Sequence, residues 1–267
     1  MSDLHVIVMD MDGTLLNDNK EVSEYTKNVL RRQKEKGMKI GIASGRPILG
    51  VRRTVENLGL SDIIQFMVAS NGAELYDVSD GEERGFFKLD VNTIFEIIDT
   101  YKHFDLNPYV YQGGDCYAVR NDSTIERAAK NNFLGIHLCD MRKEVTTHQS
   151  KLVLSTPPEK MSDVEKFYEA HKSEKYRAFK SQTDMFEFVH PELSKVYGIK
   201  YYCEKYGYDI SKVIAFGDTT NDLEMVDECG VGVCMCNGTD DVKSVADIIT
   251  EFSNDDDGLA KELEKLL

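Results

Sequence analysis

The first seventy residues alternate between short apolar runs and longer polar segments, and this alternation restricts the fold more than any other feature. The apolar runs lie at residues 6–9, 39–43 and 66–69. Between them, residues 23–36 carry apolar side chains on one helical face, and both this segment and residues 47–58 end at a glycine, which is typical of a helix C-terminus. Strand–helix alternation of this kind predicts a parallel sheet with helical connections.

The first predicted strand ends in a polar segment with two carboxylates, Asp10 and Asp12, followed by Gly13. Taken alone, this segment is as consistent with an acidic turn as with a functional site, because Asp and Gly are common turn residues. In open α/β sheets, however, ligands bind at the carboxyl ends of the strands. These residues therefore mark the place where chemistry is expected.

A second apolar strand is predicted near the other end of the chain, at residues 213–216, and it too ends in carboxylates, Asp218 and Asp222. If both strands belong to one sheet, these carboxylates converge. Two like charges 4 Å apart repel by about 4 kcal/mol at an effective dielectric constant of 20. A cation is therefore expected between them, and Mg²⁺ prefers oxygen ligands of this type.

The pattern changes near residues 79–85, a polar, glycine-containing stretch that predicts a linker. Beyond it, hairpins are mixed with helices, which is typical of an α+β domain. The strand–helix alternation resumes after residues 190–191, His-Pro. We therefore predict an α/β core domain formed by residues 1–84 and 190–267, with an α+β domain at residues 85–189 inserted into it.

Composition excludes several classes of function. The formal net charge of −15 argues against binding to nucleic acid or to anionic membranes, since both depend on clustered Lys and Arg. No apolar run approaches the roughly 18 residues of a membrane span, and no basic leader precedes the first apolar run, so a cytoplasmic protein is expected. The six cysteines form no CxxC pair, and the six histidines show no ligand spacing, so neither type is expected to bind metal. The oligomeric state is left open.

Three further residues near the predicted strand ends are suited to binding a phosphate. Thr14 and Ser44 offer hydroxyls and nearby backbone N–H groups at helix starts, which are natural anion sites. Lys195 lies in the first turn of a predicted helix and supplies a positive charge. Considered singly, Ser44 is equally suited to capping a helix, and Lys195 to a solvated surface position.

In combination and in this order, the motifs resemble those of the haloacid dehalogenase (HAD) superfamily of phosphatases, and more narrowly its Cof-type members with a large α+β cap. The resemblance covers essentially the whole chain, and its motifs are Asp-Met-Asp-Gly-Thr-Leu-Leu (10–16), Ala-Ser-Gly-Arg (43–46), Ser-Asn-Gly-Ala (70–73), Lys195 and Gly-Asp-Thr-Thr-Asn-Asp (217–222). It implies a HAD-like Rossmannoid parallel-sheet core with an inserted cap domain. Two segments depart from the family pattern: Val-Tyr-Gly after Lys195, and Cys-Met-Cys-Asn-Gly at 234–238.

The resemblance also implies roles for individual residues. Asp10 is expected to be the nucleophile, and Asp12 the general acid and then the general base. A Mg²⁺ ion is expected to be held by Asp10, the Asp12 main-chain carbonyl and Asp218, supported by Asn221 and Asp222. Besides the catalytic Lys195, the residues expected to bind the phosphate are Thr14, Ser44, Gly45, Arg46, Asn71 and Asn221.

The expected function is therefore a Mg²⁺-dependent phosphatase that acts on a small phosphorylated metabolite, such as a sugar phosphate or a phosphorylated cofactor, through an aspartyl-phosphate. Two alternatives remain open. A phosphomutase of the same superfamily would return the phosphoryl group to the sugar. A receiver-type signalling protein would use Asp10 as a phospho-acceptor, although a general acid at Asp12 argues for turnover. Assay of the products distinguishes the three.

Overall fold

The structure is a computed structural model that describes residues 4–267. The chain divides into two compact units. The first is formed by the described part of Met1–Arg84 together with Ser194–Leu267, and the second by Gly85–Leu193. The second unit runs four residues beyond the predicted end of the inserted domain at residue 189. In these residues Leu193 is fully buried, and its carbonyl accepts a hydrogen bond from Arg177.

The described residues form the following strands and α-helices. The strands are β1 (Val6–Met9), β2 (Lys39–Ala43), β3 (Phe66–Ala69), β4 (Glu74–Asp77), β5 (Glu82–Gly85), β6 (Asn107–Gln112), β7 (Asp115–Ala118), β8 (Gly135–Leu138), β9 (Leu152–Ser155), β10 (Arg177–Gln182), β11 (Met185–Val189), β12 (Val213–Gly217), β13 (Val231–Cys234) and β14 (Ile248–Ile249). The α-helices are α1 (Glu24–Glu35), α2 (Ile48–Asn57), α3 (Val91–Tyr101), α4 (Ser123–Asn132), α5 (Met141–Glu144), α6 (Pro158–Ala170), α7 (Lys195–Tyr206), α8 (Leu223–Glu228), α9 (Asp240–Val245) and α10 (Gly258–Leu266).

The first unit is built on one sheet, in the order β14-β13-β12-β1-β2-β3-β4-β5. The strands from β14 to β3 are parallel neighbours, and β4 pairs antiparallel with β3. The central strands are buried on both faces, which explains why they appear in the sequence as continuous apolar runs and not as alternating ones. The predicted parallel-sheet core is confirmed.

Helices cover both faces of this sheet. Alternate residues of the central strands, such as Ile7 and Met9, pack in one cluster with apolar side chains of α1, α2 and α10. On the opposite face, Tyr202 of α7 stacks on Phe66 of β3, with their ring centroids 3.8 Å apart. The predicted glycines follow α1 and α2 as Gly37 and Gly59, both at positive φ. At the start of α1, the Ser23 hydroxyl accepts a hydrogen bond from the Thr26 N–H.

The second unit is an α+β domain, as predicted, built on a sheet in the order β10-β11-β9-β6-β7-β8. Its pairs are antiparallel, except that β8 runs parallel to β7. One cluster of apolar side chains includes Ile94 and Ile97 of α3 with Phe186 and Phe188 of β11. A second, smaller cluster packs α4 against the sheet through Ile125.

Some elements differ from the prediction. Residues 79–85 were predicted to be a linker, but Glu82–Gly85 form strand β5 at the edge of the first sheet. Its side chains are largely exposed, so backbone pairing and not apolar burial makes it a strand. For the same reason β8, also an edge strand, was not predicted. Helix α3 ends at Tyr101, after which Lys102–Phe104 form a 3₁₀ turn. Within residues 4–267, no helix combines the length and apolar character needed to cross a membrane.

Candidate active site

The candidate site is formed where β1 and β12 end side by side. The two strands are parallel neighbours in which Met9 pairs with Phe216, and the Asp10 N–H donates to the Phe216 carbonyl at 2.9 Å. Asp10 and Asp218, about two hundred residues apart in the chain, therefore leave the same edge of the sheet. The convergence predicted from the sequence follows from this register.

A buried ammonium group lies between two of the carboxylates. The Lys195 Nζ donates to Asp10 Oδ1 and to Asp222 Oδ1, both at 2.6 Å. The Lys195 and Asp222 side chains are fully buried, and the Asp10 side chain is only 7% exposed. Lys195, at the first position of α7, is thus part of the site and not a solvated surface residue. Its hydrogen bond to Asp10 engages Oδ1, and not the second carboxylate oxygen of Asp10, Oδ2.

The carboxylates strongly affect one another. Burial raises the pKa of Asp10 well above its ordinary value, and the charges of Asp222 and Asp218 raise it further, while Lys195 opposes them. Burial and the charge of Asp222 also raise the pKa of Asp218, to about 7, although a hydrogen bond from Thr14 opposes the shift. A single lysine therefore does not balance the negative charge of the cluster.

Asp218 is positioned by residues of the loop after β1. The Thr14 hydroxyl donates to Asp218 Oδ1 at 2.8 Å, so in this structure that hydroxyl orients a carboxylate. Gly13 has a φ of +86°, and a Cβ added to it would lie 2.3 Å from Asp218 Oδ2. Only glycine permits this backbone conformation and this close approach. The Asn237 amide in turn donates to the Gly13 carbonyl at 2.8 Å.

Asp222 is held mainly by its own loop. Its Oδ2 accepts the backbone N–H groups of Asp218 and Thr219 at 3.0 and 3.1 Å, while its Oδ1 accepts the Lys195 ammonium. Asp222 therefore fixes the shape of the loop after β12 and positions Lys195.

The Asp12 side chain points to a different group of partners. Its oxygens accept two hydrogen bonds from Arg46, at 2.7 and 2.8 Å, and one from Lys20 at 2.9 Å. Burial raises the pKa of Asp12, but the bonds and charge of Arg46, together with Lys20, outweigh it and lower the pKa to about 2. In this arrangement Asp12 is ionised. Arg46 is thus a partner of the expected general acid, and no sequence motif indicated the contribution of Lys20.

The remaining predicted residues lie at the ends of β2 and β3. Ser44 is buried; its N–H donates to the Val68 carbonyl, and its hydroxyl accepts the Arg46 N–H at 3.2 Å. A Cβ on Gly45 would lie 3.1 Å from the Asn71 amide oxygen. That oxygen accepts the Asn221 amide at 3.1 Å. The structure therefore brings Gly45, Asn71 and Asn221 together as a second polar group, separate from the three carboxylates.

Three buried carboxylates have the composition of a divalent metal site. One oxygen from each of Asp10, Asp218 and Asp222 lies within 4.8 Å of the others. The donors are all oxygen, which suits a hard cation, and the charges of neighbouring carboxylates add to the effect of burial in raising the pKa values of Asp10 and Asp218. These residues therefore fit a divalent cation. The Asp12 carboxylate lies outside the group, because it is bound to Arg46 and Lys20.

Comparison with known proteins identifies the family. The sequence model of the family described as "haloacid dehalogenase-like hydrolase" matches residues 7–263. Two Bacillus subtilis (strain 168) proteins named 5-amino-6-(5-phospho-D-ribitylamino)uracil phosphatase, YitU and YcsE, are 26% and 28% identical to the chain. The matches cover 98% of this chain in both cases, with 97% of YitU and 95% of YcsE.

A solved structure also matches over the full length of the chain. It is described as a haloacid dehalogenase-like hydrolase from Bacteroides thetaiotaomicron, and it is 28% identical to this chain with a TM-score of 0.88. The match covers 99% of this chain and 100% of the other. The ordered motifs, the sheet topology and the family match lead to one conclusion. The chain belongs to the haloacid dehalogenase-like hydrolase family of enzymes.

Proposed function

We propose that this protein is a Mg²⁺-dependent phosphatase that hydrolyses a small phosphorylated metabolite through an aspartyl-phosphate on Asp10. The observation that carries the proposal is the buried cluster in which Asp10, Asp218 and Asp222 converge and Lys195 contacts Asp10 and Asp222. A carboxylate can attack a phosphate when nearby positive charge neutralises the negative charge of the phosphate. In this cluster the buried Lys195 ammonium group supplies part of that positive charge.

Asp10 acts as the nucleophile. Its Oδ2 attacks phosphorus, a new P–O bond forms to Asp10, and the bond from phosphorus to the ester oxygen breaks. Lys195 orients Asp10 through Oδ1 and supplies positive charge as the phosphoryl group arrives. A bound Mg²⁺ ion would be held by Asp10 and Asp218, with the Asp12 carbonyl, and would supply electrostatic stabilisation of the transferring phosphoryl group.

Asp12 moves the proton. In its protonated form it donates to the leaving alkoxide, which departs as the alcohol. In its ionised form it then takes a proton from water, the resulting hydroxide attacks phosphorus, and the bond to Asp10 breaks to release inorganic phosphate. In this structure Arg46 and Lys20 hold Asp12 in the ionised form. The hydrogen bonds from Arg46 and Lys20 to the Asp12 carboxyl group must therefore break before it carries the proton.

The phosphate is bound around Thr14, Ser44 and Gly45, which lie after β1 and β2. Ser44 contributes its hydroxyl, because its N–H is bonded to the Val68 carbonyl. Arg46, Asn71 and Asn221 complete the proposed phosphate site. The relatives YitU and YcsE are named for a phosphorylated ribitylaminouracil. By this similarity, the substrate class is a phosphomonoester of a sugar or polyol, either free or as part of a cofactor precursor.

The test is phosphate release from an aryl phosphate such as p-nitrophenyl phosphate. Activity with Mg²⁺ is expected to disappear with EDTA and to return when Mg²⁺ is restored. Asp10→Asn removes the nucleophile at nearly constant volume and should lower the rate by at least about a thousandfold. Asp62→Asn, at an exposed residue paired with Arg31, is the matched control and should retain the wild-type rate.

Acid quenching with labelled substrate should trap a covalent phosphoryl group in the wild type and none in Asp10→Asn. Undiminished activity in EDTA or in Asp10→Asn would contradict the mechanism. Recovery of an isomerised sugar phosphate without free phosphate would identify a mutase instead. A long-lived phosphoprotein without turnover would identify a receiver-type protein.

A further inference from the structure

A second group of potential metal ligands lies in the second unit, remote in sequence from the active-site residues. The sequence did not predict it, because the cysteines and histidines show no metal-ligand spacing along the chain. One ligand atom from each of His137, Cys139 and Glu144 lies within 4.8 Å of the others. His137 belongs to β8, Cys139 follows that strand, and Glu144 ends the short helix α5. The chain therefore brings an imidazole, a thiol and a carboxylate together by reversing direction between a strand and a helical turn.

The surrounding backbone holds these residues in place. His137 pairs with Tyr117 in the parallel β7–β8 ladder, and the two rings lie 4.5 Å apart, which restricts the imidazole. The Cys139 N–H donates to the Ala118 carbonyl at 2.9 Å and extends the same ladder by one residue. Because side chains alternate along a strand, His137 and Cys139 point to the same face.

The helical turn that carries Glu144 is anchored as well. Asp140 caps it by accepting the Arg142 N–H at 3.2 Å, and its Met141 side chain is buried in the larger apolar cluster of the second unit. The ligand-bearing end is left accessible, since the His137 and Glu144 side chains are 41% and 46% exposed. A cation can therefore enter from solvent onto a supported backbone.

The donor set favours a borderline transition metal over Mg²⁺. Nitrogen, sulfur and oxygen ligands in one site suit Zn²⁺ and its neighbours, whereas Mg²⁺ prefers oxygen alone. With a neutral imidazole, a thiolate and a carboxylate, a divalent ion gives a site with no net charge. Glu144 and Asp140 both lie close enough to Cys139 to place negative charge around its sulfur, which attracts a cation.

The His137–Glu144 pair requires only a small movement to bind a metal ion. The His137 Nε2 and Glu144 Oε2 atoms now lie 2.7 Å apart and share a proton in a hydrogen bond. Two ligands of a tetrahedral Zn²⁺ ion are about 3.4 Å apart, from metal–ligand distances near 2.1 Å. The pair must open by under 1 Å, and both side chains are half exposed. The metal then replaces the shared proton.

We propose that His137, Cys139 and Glu144 form a Zn²⁺-type metal site that joins α5 to β8, with water completing the coordination. Binding releases the Cys139 thiol proton to solvent, and the proton displaced from the His137–Glu144 hydrogen bond passes through solvent to His137 Nδ1, which keeps the imidazole neutral. The metal takes the Nε2 lone pair and one Glu144 oxygen. No electron is transferred. The site is chemically distinct from the carboxylate cluster, and its occupancy does not depend on the proposed phosphatase reaction.

The test uses Co²⁺ as a spectroscopic probe on the full-length protein in excess Mg²⁺. A thiolate ligand produces an intense charge-transfer band with Co²⁺, whereas the all-carboxylate cluster does not. We expect one equivalent of Co²⁺ to produce this band, and Zn²⁺ to abolish it, because Zn²⁺ binds such sites more tightly. Cys139→Ser should remove the band.

The matched control is Cys236→Ser, which alters another half-buried cysteine, located in the first unit, and should leave the band unchanged. His137→Asn and Glu144→Gln change half-exposed side chains, so they should fold normally and weaken Co²⁺ binding by at least about tenfold. Absence of a band in the wild type at millimolar Co²⁺ would overturn the proposal. So would a band that survives in Cys139→Ser or that disappears in Cys236→Ser.

Discussion

Replacing Lys195 by methionine tests how the carboxylate cluster is held together. Lys195 is fully buried and contacts Asp10 and Asp222 at 2.6 Å each. Methionine has a similar length and fills the space, so the main change is the loss of the positive charge. The three carboxylates then remain buried without the ammonium group that now separates two of them.

The magnitude follows from the burial. Removing one partner of a buried ion pair typically costs 3–5 kcal/mol, because the other charge stays uncompensated in a poorly solvated place. Lys195 serves two carboxylates, so we expect the free energy of unfolding to fall by about 3–5 kcal/mol in EDTA. Mg²⁺ should recover part of this loss, because a divalent cation in the same cluster replaces the missing positive charge.

The assay is urea unfolding, followed by circular dichroism, with EDTA and with saturating Mg²⁺. The matched control is Lys200→Met on the same helix, whose ion pair with Glu228 is about 40% exposed on both sides and should contribute only about 0–1 kcal/mol. If the free energy of unfolding of Lys195→Met in EDTA lay within about 1 kcal/mol of the wild-type value, the stability of the cluster would not depend on Lys195. An equal loss with and without Mg²⁺ would refute the placement of the cation.

Two further predictions concern the first unit. Gly13→Ala should lower the free energy of unfolding by about 1–3 kcal/mol, because alanine is strained at positive φ. It should also lower the rate of phosphate release by at least about tenfold, because the added Cβ displaces Asp218. The control is Gly37→Ala, at φ +97° with nothing within 4 Å of an added Cβ, which should show the loss of stability without the loss of activity. Asp77→Asn should cost about 1–3 kcal/mol at pH 7 in urea unfolding, because buried Asp77 accepts bonds from Lys205 and Tyr206. Burial raises the pKa of Asp77, but these bonds outweigh it and hold the pKa below its ordinary value. The difference in unfolding free energy between the wild type and Asp77→Asn should therefore shrink as the pH falls below about 4. A difference independent of pH would contradict this assignment.

Most of the first unit could be predicted because its signals are local. Runs such as Val6–Met9 are apolar since both faces of the strand are buried, and helix ends carry caps such as Ser23. β5 and β8 could not be predicted in this way. They are edge strands whose backbone groups pair with a neighbour, while their side chains show little of the burial that produces a pattern.

The candidate site could be predicted in part. Asp10, Asp218 and Asp222 follow from acidic clusters after apolar strands, and the structure does bring them together. No sequence motif predicts the contact between Lys20 and Asp12, because it depends on the path of the loop between β1 and α1. Asn237 was noted only within a segment that departs from the family pattern, and its bond to Gly13 required the fold.

The sequence by itself determined the strand–helix order, the acidic strand ends and the family, because these depend on side-chain periodicity and on motifs within a few residues. Only the tertiary structure decided which charges compensate one another. Lys195 lies between Asp10 and Asp222, whereas Arg46 and Lys20 hold Asp12 in the ionised form. The strength of an ion pair depends on the distance between the charges and on their burial. Residues nearly two hundred positions apart in the chain come close together and become buried only when the parallel sheet aligns β1 with β12.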